Sequence, residues 1–369
     1  MTAASPSIDA VQPPQTAHNP GSIGRAFGAA WRGLVGVLFC LNPLTSVAVL
    51  GWLMRTMRRE AAIAMVKRTV GLRRRAVLER LSANPPLAGL AKPPNWFSSG
   101  PQGDGSRLQR LFGGLRKNVE LGFATIASLC VAVVPFGLLL LLGWWAGWDN
   151  SFNKGYEQAW VGPLIAWIGI FLALAALSYL PMGLAHQASE GRLRAFFDIK
   201  QVRALTGYAG WRYVGLALLY LVCAVPIFAL RGMPVFIENI YPGFAGLDAE
   251  GLVQFENRYR LLAAIYVFAA VVFLRKQAAR IYAGAMLRAL SAGEGWARGT
   301  FASRLLSDLA VAPSKAPVRT PGRFKRFLLG AARVMLWFGV IVLIVVGQFL
   351  NHSWVFWVSY PLIALPWLP

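Results

Sequence analysis

Acidic residues are what this sequence has least of. Its 369 residues hold 15 Asp and Glu against 37 Lys and Arg, a formal net charge of +22, and only 14% of the chain is charged at all. Soluble domains are about one-quarter charged. With 56% hydrophobic residues and a mean hydropathy of +0.51, an ordinary soluble domain is excluded and an integral membrane protein is implied. No Asp or Glu lies inside the long apolar blocks; Glu120 and Asp149 only mark the ends of one. That shortage removes the paired carboxylates of acid and base chemistry. It also counts against an ion-coupled transporter, which normally needs an ionisable group within the bilayer. Passive pores and lipid carriers need none.

Cysteine is scarce too. Cys40, Cys130 and Cys223 all fall within apolar blocks and share no metal-ligand spacing, so they read as small buried hydrophobes rather than as disulfides or ligands. A glycine-rich phosphate loop with its lysine, a His-Glu metal helix and a serine nucleophile elbow are all missing. The expectation is therefore a protein that is not an enzyme and has no cofactor or metal. Of the three histidines, His18 is in the N-terminal tail, while His186 and His352 each follow an apolar block. The topology argued below puts His186 and His352 on opposite membrane faces, so they share no metal. Each could singly ligate a pigment or haem iron; the plainer reading is an interfacial polar residue.

What the chain does have is apolar length. A helix needs about 20 mostly apolar residues to cross the hydrocarbon core. Blocks 121–146, 161–185 and 330–350 meet that need, 213–230 nearly does, and a fifth, 260–274, extends from about Tyr259 through Ile281 to Leu290. The charge then alternates between the gaps. Residues 55–120 hold 14 Lys and Arg, 187–212 hold 5 and 275–327 hold 11, whereas 149–157 hold 1 and 231–260 hold 3. By the positive-inside bias the first three gaps are cytoplasmic and the other two are translocated. With 30 of 37 cations on one side, the expected partners are anionic membrane lipids, which attract juxtamembrane cations at about 1 kcal/mol each, and not nucleic acid.

The ends of the chain are less regular. Residues 1–22 read as a disordered tail, rich in Pro, Ala, Ser and Gln and without a signal peptide's charged start and apolar run. Residues 23–54 form a first membrane segment broken at Asn42-Pro43, either one span or two re-entrant half-helices. Residues 355–369, with Pro361 and Pro366, cross back or dip into the bilayer. The total is six or seven membrane segments.

Four segments between the spans show helical stripes: 54–81, 106–119 with Ser106 as N-cap, 190–206, and more weakly 300–311. Basic amphipathic helices beside spans usually lie in the interface. Together these would form a positive platform binding lipid or partner through Arg58, Arg59, Arg73, Arg74 and Arg75, through Arg192 and Arg194, and through Arg323, Lys325 and Arg326 ahead of the last long block. The Pro- and Gly-rich stretch 84–105 is a linker, or a docking peptide with Trp96 and Phe97 as anchors. Pro43, Pro135, Pro181 and Pro226 are candidate hinges, and the pairs Gly24 with Gly28 and Gly33 with Gly36 allow close helix contact. Trp144, Trp145, Trp148, Trp160, Trp354 and Trp357 would mark the outer interface.

The run Glu190-Gly191-Arg192-Leu193-Arg194-Ala195-Phe196-Phe197-Asp198, then Val202, Leu205 and Trp211-Arg212-Tyr213 leading into a span, resembles a segment of a group of uncharacterised prokaryotic multi-pass membrane proteins. The resemblance covers residues 179–222 and implies class rather than activity.

The fold expected is an all-α polytopic bundle: tail 1–22, first membrane segment 23–54, cytoplasmic basic helices and linker 55–120, a four-span core 121–274 interrupted by the amphipathic helix 190–206, a basic segment 275–327, and C-terminal membrane segments 328–369. It would lie in the bacterial inner membrane. The function expected is a structural subunit, scaffold or assembly factor among other integral membrane proteins, with a transporter or channel for a lipid or small apolar solute as the alternative.

Overall fold

The computed structural model describes residues 22–98, 107–146, 160–240, 243–244, 246–312 and 322–351. The tail apart from Ser22, Ser106, Trp148, Asp149, residues 313–321, His352, Trp354 and the closing segment 355–369 with Trp357 lie outside the described residues. Among the described residues all regular structure is helical: α1 (Ser22–Cys40), α2 (Pro43–Val70), α3 (Arg74–Ala83), α4 (Ala88–Ala91), α5 (Arg107–Trp144), α6 (Val161–Glu190), α7 (Ile199–Ala209), α8 (Trp211–Ile240), α9 (Ala249–Ser291), α10 (Phe301–Asp308) and α11 (Arg323–Asn351).

Five of these helices, α5, α6, α8, α9 and α11, are long and apolar enough to cross a membrane, which makes the chain a multi-pass membrane protein. They match the five apolar blocks. The longest, α9, has 43 residues and reaches about 65 Å at 1.5 Å per residue, roughly twice the hydrocarbon thickness. A large part of it therefore lies beyond the hydrocarbon core, and its C-terminal part packs into the protein's own core.

Residues 23–54 are two helices. The chain turns at Leu41 and Asn42, where the Asn42 side chain accepts a hydrogen bond from the Leu44 N–H at 2.9 Å, with Pro43 at the first helical position. Pro43 thus starts a helix, at a position where its missing N–H costs nothing. Apolar length in α1 is limited to Ala26–Cys40, and neither α1 nor α2 is among the five spanning helices. The other three candidate hinges, Pro135, Pro181 and Pro226, sit within helices that continue through them.

The amphipathic helices differ from expectation. The stripe over 54–81 is split: α2 continues to Val70, Gly71 caps it at φ 72°, and α3 starts at Arg74. The 106–119 stripe is the first part of α5, continuous with its span. Residues 190–206 divide into a 3₁₀ turn at Leu193–Phe197 and α7, and 300–311 shortens to α10. The reason lies in what surrounds them. From Thr56 to Val66, α2 is buried nearly all round by α5, α6 and α9, and α3, α7 and α10 close over the same core, in which Met57, Met65, Leu81, Leu205 and Met286 are fully enclosed. A stripe that would otherwise face lipid faces protein.

Close approach without side chains holds the α2–α5 pair. A Cβ on Gly51 would stand 1.7 Å from the Asn118 carbonyl oxygen, and one on Gly122 would stand 2.0 Å from the Val47 carbonyl oxygen. Of the four glycines expected to permit such contact, Gly36 does so, with the Phe268 ring 2.1 Å from its would-be Cβ.

The stretch 84–105 is no simple linker where it is described. It forms a 3₁₀ turn at Pro85–Leu87 and the short α4, then seats Trp96 in a second core. The Trp96 ring stacks on Trp52 at 4.7 Å, its Nε1–H donates to the Arg32 carbonyl at 3.0 Å, and its own carbonyl accepts from Asn118 Nδ2 at 3.0 Å. The anchor is real, but it holds this chain to itself.

Candidate anion-binding pocket

The charges at the basic end sort into those neutralised by protein and those gathered in a pocket. Glu60, near the middle of α2, has a side chain only 4% exposed and three arginine neighbours: Arg74 at 2.6 Å, Arg280 at 3.4 Å and Arg59 at 3.6 Å. It joins α2, α3 and α9. Burial alone would raise its pKa, yet the hydrogen bonds from Arg74 and the charges of Arg74, Arg280 and Arg59 outweigh burial and hold it below the usual carboxylate value. Arg59 is half-buried and donates to the Ala91 carbonyl at 2.9 Å. Burial, opposed by Glu60 and aided by Arg74 and Arg32, lowers its pKa to about 10.

Glu190, at the end of α6, has a side chain only 1% exposed and caps a helix that is distant in sequence. It accepts from the first N–H of α10, at Phe301, at 2.7 Å and from Arg304 at 3.0 Å. Thr300, the residue before α10, makes no side-chain cap of its own. Arg58 lies over the Phe301 ring at 5.0 Å.

His186 is 1% exposed. Its Nδ1 is 3.0 Å from the Tyr282 hydroxyl and its Nε2 is 3.5 Å from Asp198, so both ring nitrogens face protein groups. No group of three or more His, Cys, Asp or Glu able to hold a metal occurs among the described residues.

The expected platform residues therefore part company. Arg58, Arg59 and Arg74 are occupied within the fold. Arg73, Arg75, Arg192 and Arg194 are exposed, with Arg75 paired to Glu79 at 3.1 Å. Arg323 opens α11, and Lys325 and Arg326 line a pocket.

That pocket, of about 850 Å³, lies where the last turn of α7, the first turn of α8, the C-terminal part of α9 and the first turns of α11 meet. Gly210 makes the α7–α8 corner at φ 56°, ψ −134°, a conformation open to glycine and costly for other residues. Arg212, Arg288, Lys325, Arg326 and Arg333 all line the pocket, and among the described residues no carboxylate does. The cations come from three helices, at positions up to 121 residues apart. Arg288 donates to the Tyr208 carbonyl, the Tyr208 hydroxyl donates to Glu294, and Arg333 stands 5.8 Å from the centre of the Tyr213 ring.

Behind the pocket wall, Arg68 adds to the positive charge. Nitrogens of Arg68 and Arg212 lie 1.7 and 3.4 Å from the point a Cβ on Gly284 would occupy. Burial first, then the like charges of Arg212 and Arg288, lower the Arg68 pKa.

Sequence reasoning singled out Lys325 and Arg326 as a basic run but passed over Arg212, Arg288 and Arg333. Arg333 carried the clearest signal, as the one cation inside the 330–350 apolar block. Arrangements of this kind hold anions through the guanidinium fork and the ammonium point charge. Comparison with protein-family models finds no match, and comparisons with curated proteins and with solved structures find none either.

Proposed function

We propose that this chain is a non-catalytic protein of the bacterial inner membrane, with six or seven membrane segments and its basic end in the cytoplasm, acting as a structural subunit, scaffold or assembly factor of a membrane complex. The observation that carries the proposal is the use made of the buried acids. Glu60 is committed to three arginines and Glu190 to Arg304 and the start of α10, so the groups best suited to proton or cation chemistry are tying helices together.

The other support is the outer surface of the spans. In the most apolar windows of α6, α8 and α11 only 17% of residues are buried, and in α5 22%. Trp167, Phe171 and Val222 are each more than half exposed. Such faces suit acyl chains and the apolar helices of partner proteins equally well. The positive gaps, the pocket among them, suit anionic lipid on the cytoplasmic side.

The test is the native mass of the protein, extracted gently from its own membrane at natural expression level, with co-purifying proteins identified. A stoichiometric larger partner supports the proposal; recovery as a monomer or simple homo-oligomer overturns it. The second reading, a carrier for a lipid or small apolar solute, is favoured by the pocket's position at the ends of two spanning helices, and that same recovery would leave it in place.

A further inference from the structure

The pocket residues narrow the lipid contact to a chemical class. We propose that the cleft between the α7–α8 corner and α11 is a specific site for a phosphate-bearing headgroup with two or more negative charges, gripped by Arg212 and Arg288 from one wall and by Lys325 and Arg333 from the other. The inference rests on the reading that this end of the molecule meets anionic lipid, and it goes beyond diffuse attraction by assigning the contact to one cavity.

Several observations converge. Five cations and, among the described residues, no carboxylate line the cavity, whereas Glu60 and Glu190 gather arginines elsewhere in the same core. Buried carboxylates thus sit among the arginines in those two places, and none of the described carboxylates lines this cavity. Repulsion among neighbouring guanidinium groups falls most when an anion with more than one charge joins them. Arg288 uses one N–H on the Tyr208 carbonyl, leaving most of its five donors for a ligand. The 850 Å³ volume is within the range of small-molecule sites, about 300–1,000 Å³, and too large for a single inorganic anion to fill.

Position points to lipid. The cavity lies at the first turns of α8 and α11, the starts of the spanning stretches Trp211–Leu230 and Phe324–Leu343. A headgroup held there has its acyl chains alongside apolar helix surface. Trp211, half-exposed beside the cavity, is a residue suited to the boundary between headgroup and chain. Basic pockets between spanning helices are established sites for doubly charged headgroups.

The experiment uses the full-length protein in phosphatidylcholine nanodiscs doped either with cardiolipin, which carries two phosphates, or with phosphatidylglycerol at equal total charge. Lipid retained after detergent exchange is counted by mass spectrometry. The wild type should retain cardiolipin in preference. The double variant Arg212→Gln/Lys325→Gln should weaken that retention by on the order of tenfold or more, and Gly207→Asp, which puts a carboxylate where a Cβ meets nothing within 4 Å, should do the same without removing a native side chain. The control, Lys92→Gln/Arg298→Gln, makes the same charge change at exposed sites outside the pocket and the platform and should retain cardiolipin nearly as the wild type does.

Inorganic pyrophosphate separates the sources of the phosphate. Displacement of cardiolipin by millimolar pyrophosphate, or binding of pyrophosphate lost in the pocket variants without any lipid preference, supports the same chemistry from a soluble source. Equal losses in pocket and control variants, or equal retention of both lipids with no effect of pyrophosphate, overturn the proposal. Either result leaves the native mass, and with it the subunit reading, as a separate question.

Discussion

The two ends of the long helices obey different rules. At the basic end, α2 from Thr56 to Val66 and α9 from Ala278 to Ala289 are enclosed by their own chain, with Met57, Met65, Ala283 and Met286 at zero exposure. Further along, α6 exposes Leu164, Trp167, Ile168 and Phe171 in succession around its face. The first region is finished by protein in the manner of a soluble core; the second is finished by whatever apolar medium surrounds it. Stability should therefore reside in the basic end, and contact with lipid or partner along the spans.

The largest test of that contrast is Glu60→Ala. Removing the buried carboxylate leaves Arg74, Arg280 and Arg59 without their counter-charge, an effect of roughly 3–5 kcal/mol. Thermal unfolding in a mild detergent should show a lowered midpoint or loss of the folded species; an unchanged midpoint would contradict the role given to this ion-pair hub.

Next comes a matched pair of truncations. Met57→Ala opens a cavity in the enclosed core and should cost about 3 kcal/mol. Phe171→Ala removes a larger side chain that is 65% exposed and should shift the same midpoint by no more than about 0.5 kcal/mol. Equal costs would erase the distinction between the two regions.

A smaller effect is expected from pH. The folded pKa of Glu60 lies below its ordinary value of 4.5, so the folded chain binds the proton less readily than the unfolded chain. Its contribution is complete above the ordinary value and is lost as pH falls through the depressed one. The midpoint should decline below about pH 4.5, and Glu60→Gln should remove that part of the decline. A wild-type profile no steeper than the variant's would show that Glu60 is not the group responsible.

Smallest is the exposed pair Arg75 and Glu79, with side chains 75% and 66% exposed. Substituting Arg75 by Ala should change stability by less than about 0.5 kcal/mol, and a larger change would mean that Arg75 holds α3 by more than its exposed pair with Glu79.

The same contrast explains what could be read from the sequence. The spans were legible because apolar length alone determines them; blocks such as 161–185 and 213–230 fall within the spanning stretches Val161–Glu190 and Trp211–Leu230. The enclosed end was not. In α2, Arg58 and Arg59 alternate with Met and Ala, a period equally suited to a helix on a membrane surface and to one buried against acidic partners. Only the position of Glu60, which drew no notice as a lone acid among cations, decides between them. Trp96 lies among prolines and glycines that suggest a free linker, because the ring that receives it, Trp52, is 44 residues away. The pocket was legible at Lys325 and Arg326, where cations are consecutive, and not at Arg212, Arg288 and Arg333, which the helix topology brings together.

The seat of Trp96 also bears on how the chain is made. Its hydrogen-bond and stacking partners are Arg32 and Trp52, which leave the ribosome before it, and Asn118, which follows. The three polar and stacking contacts are in place once the start of α5 has emerged, all within the first third of the sequence, and α9 later closes the same core through Phe268. Close sequence separation favours early closure. Helices α1 and α2, the Trp96 segment and the start of α5 can thus begin to pack during synthesis, presenting α2 as a surface against which α6 and α9 dock when they arrive.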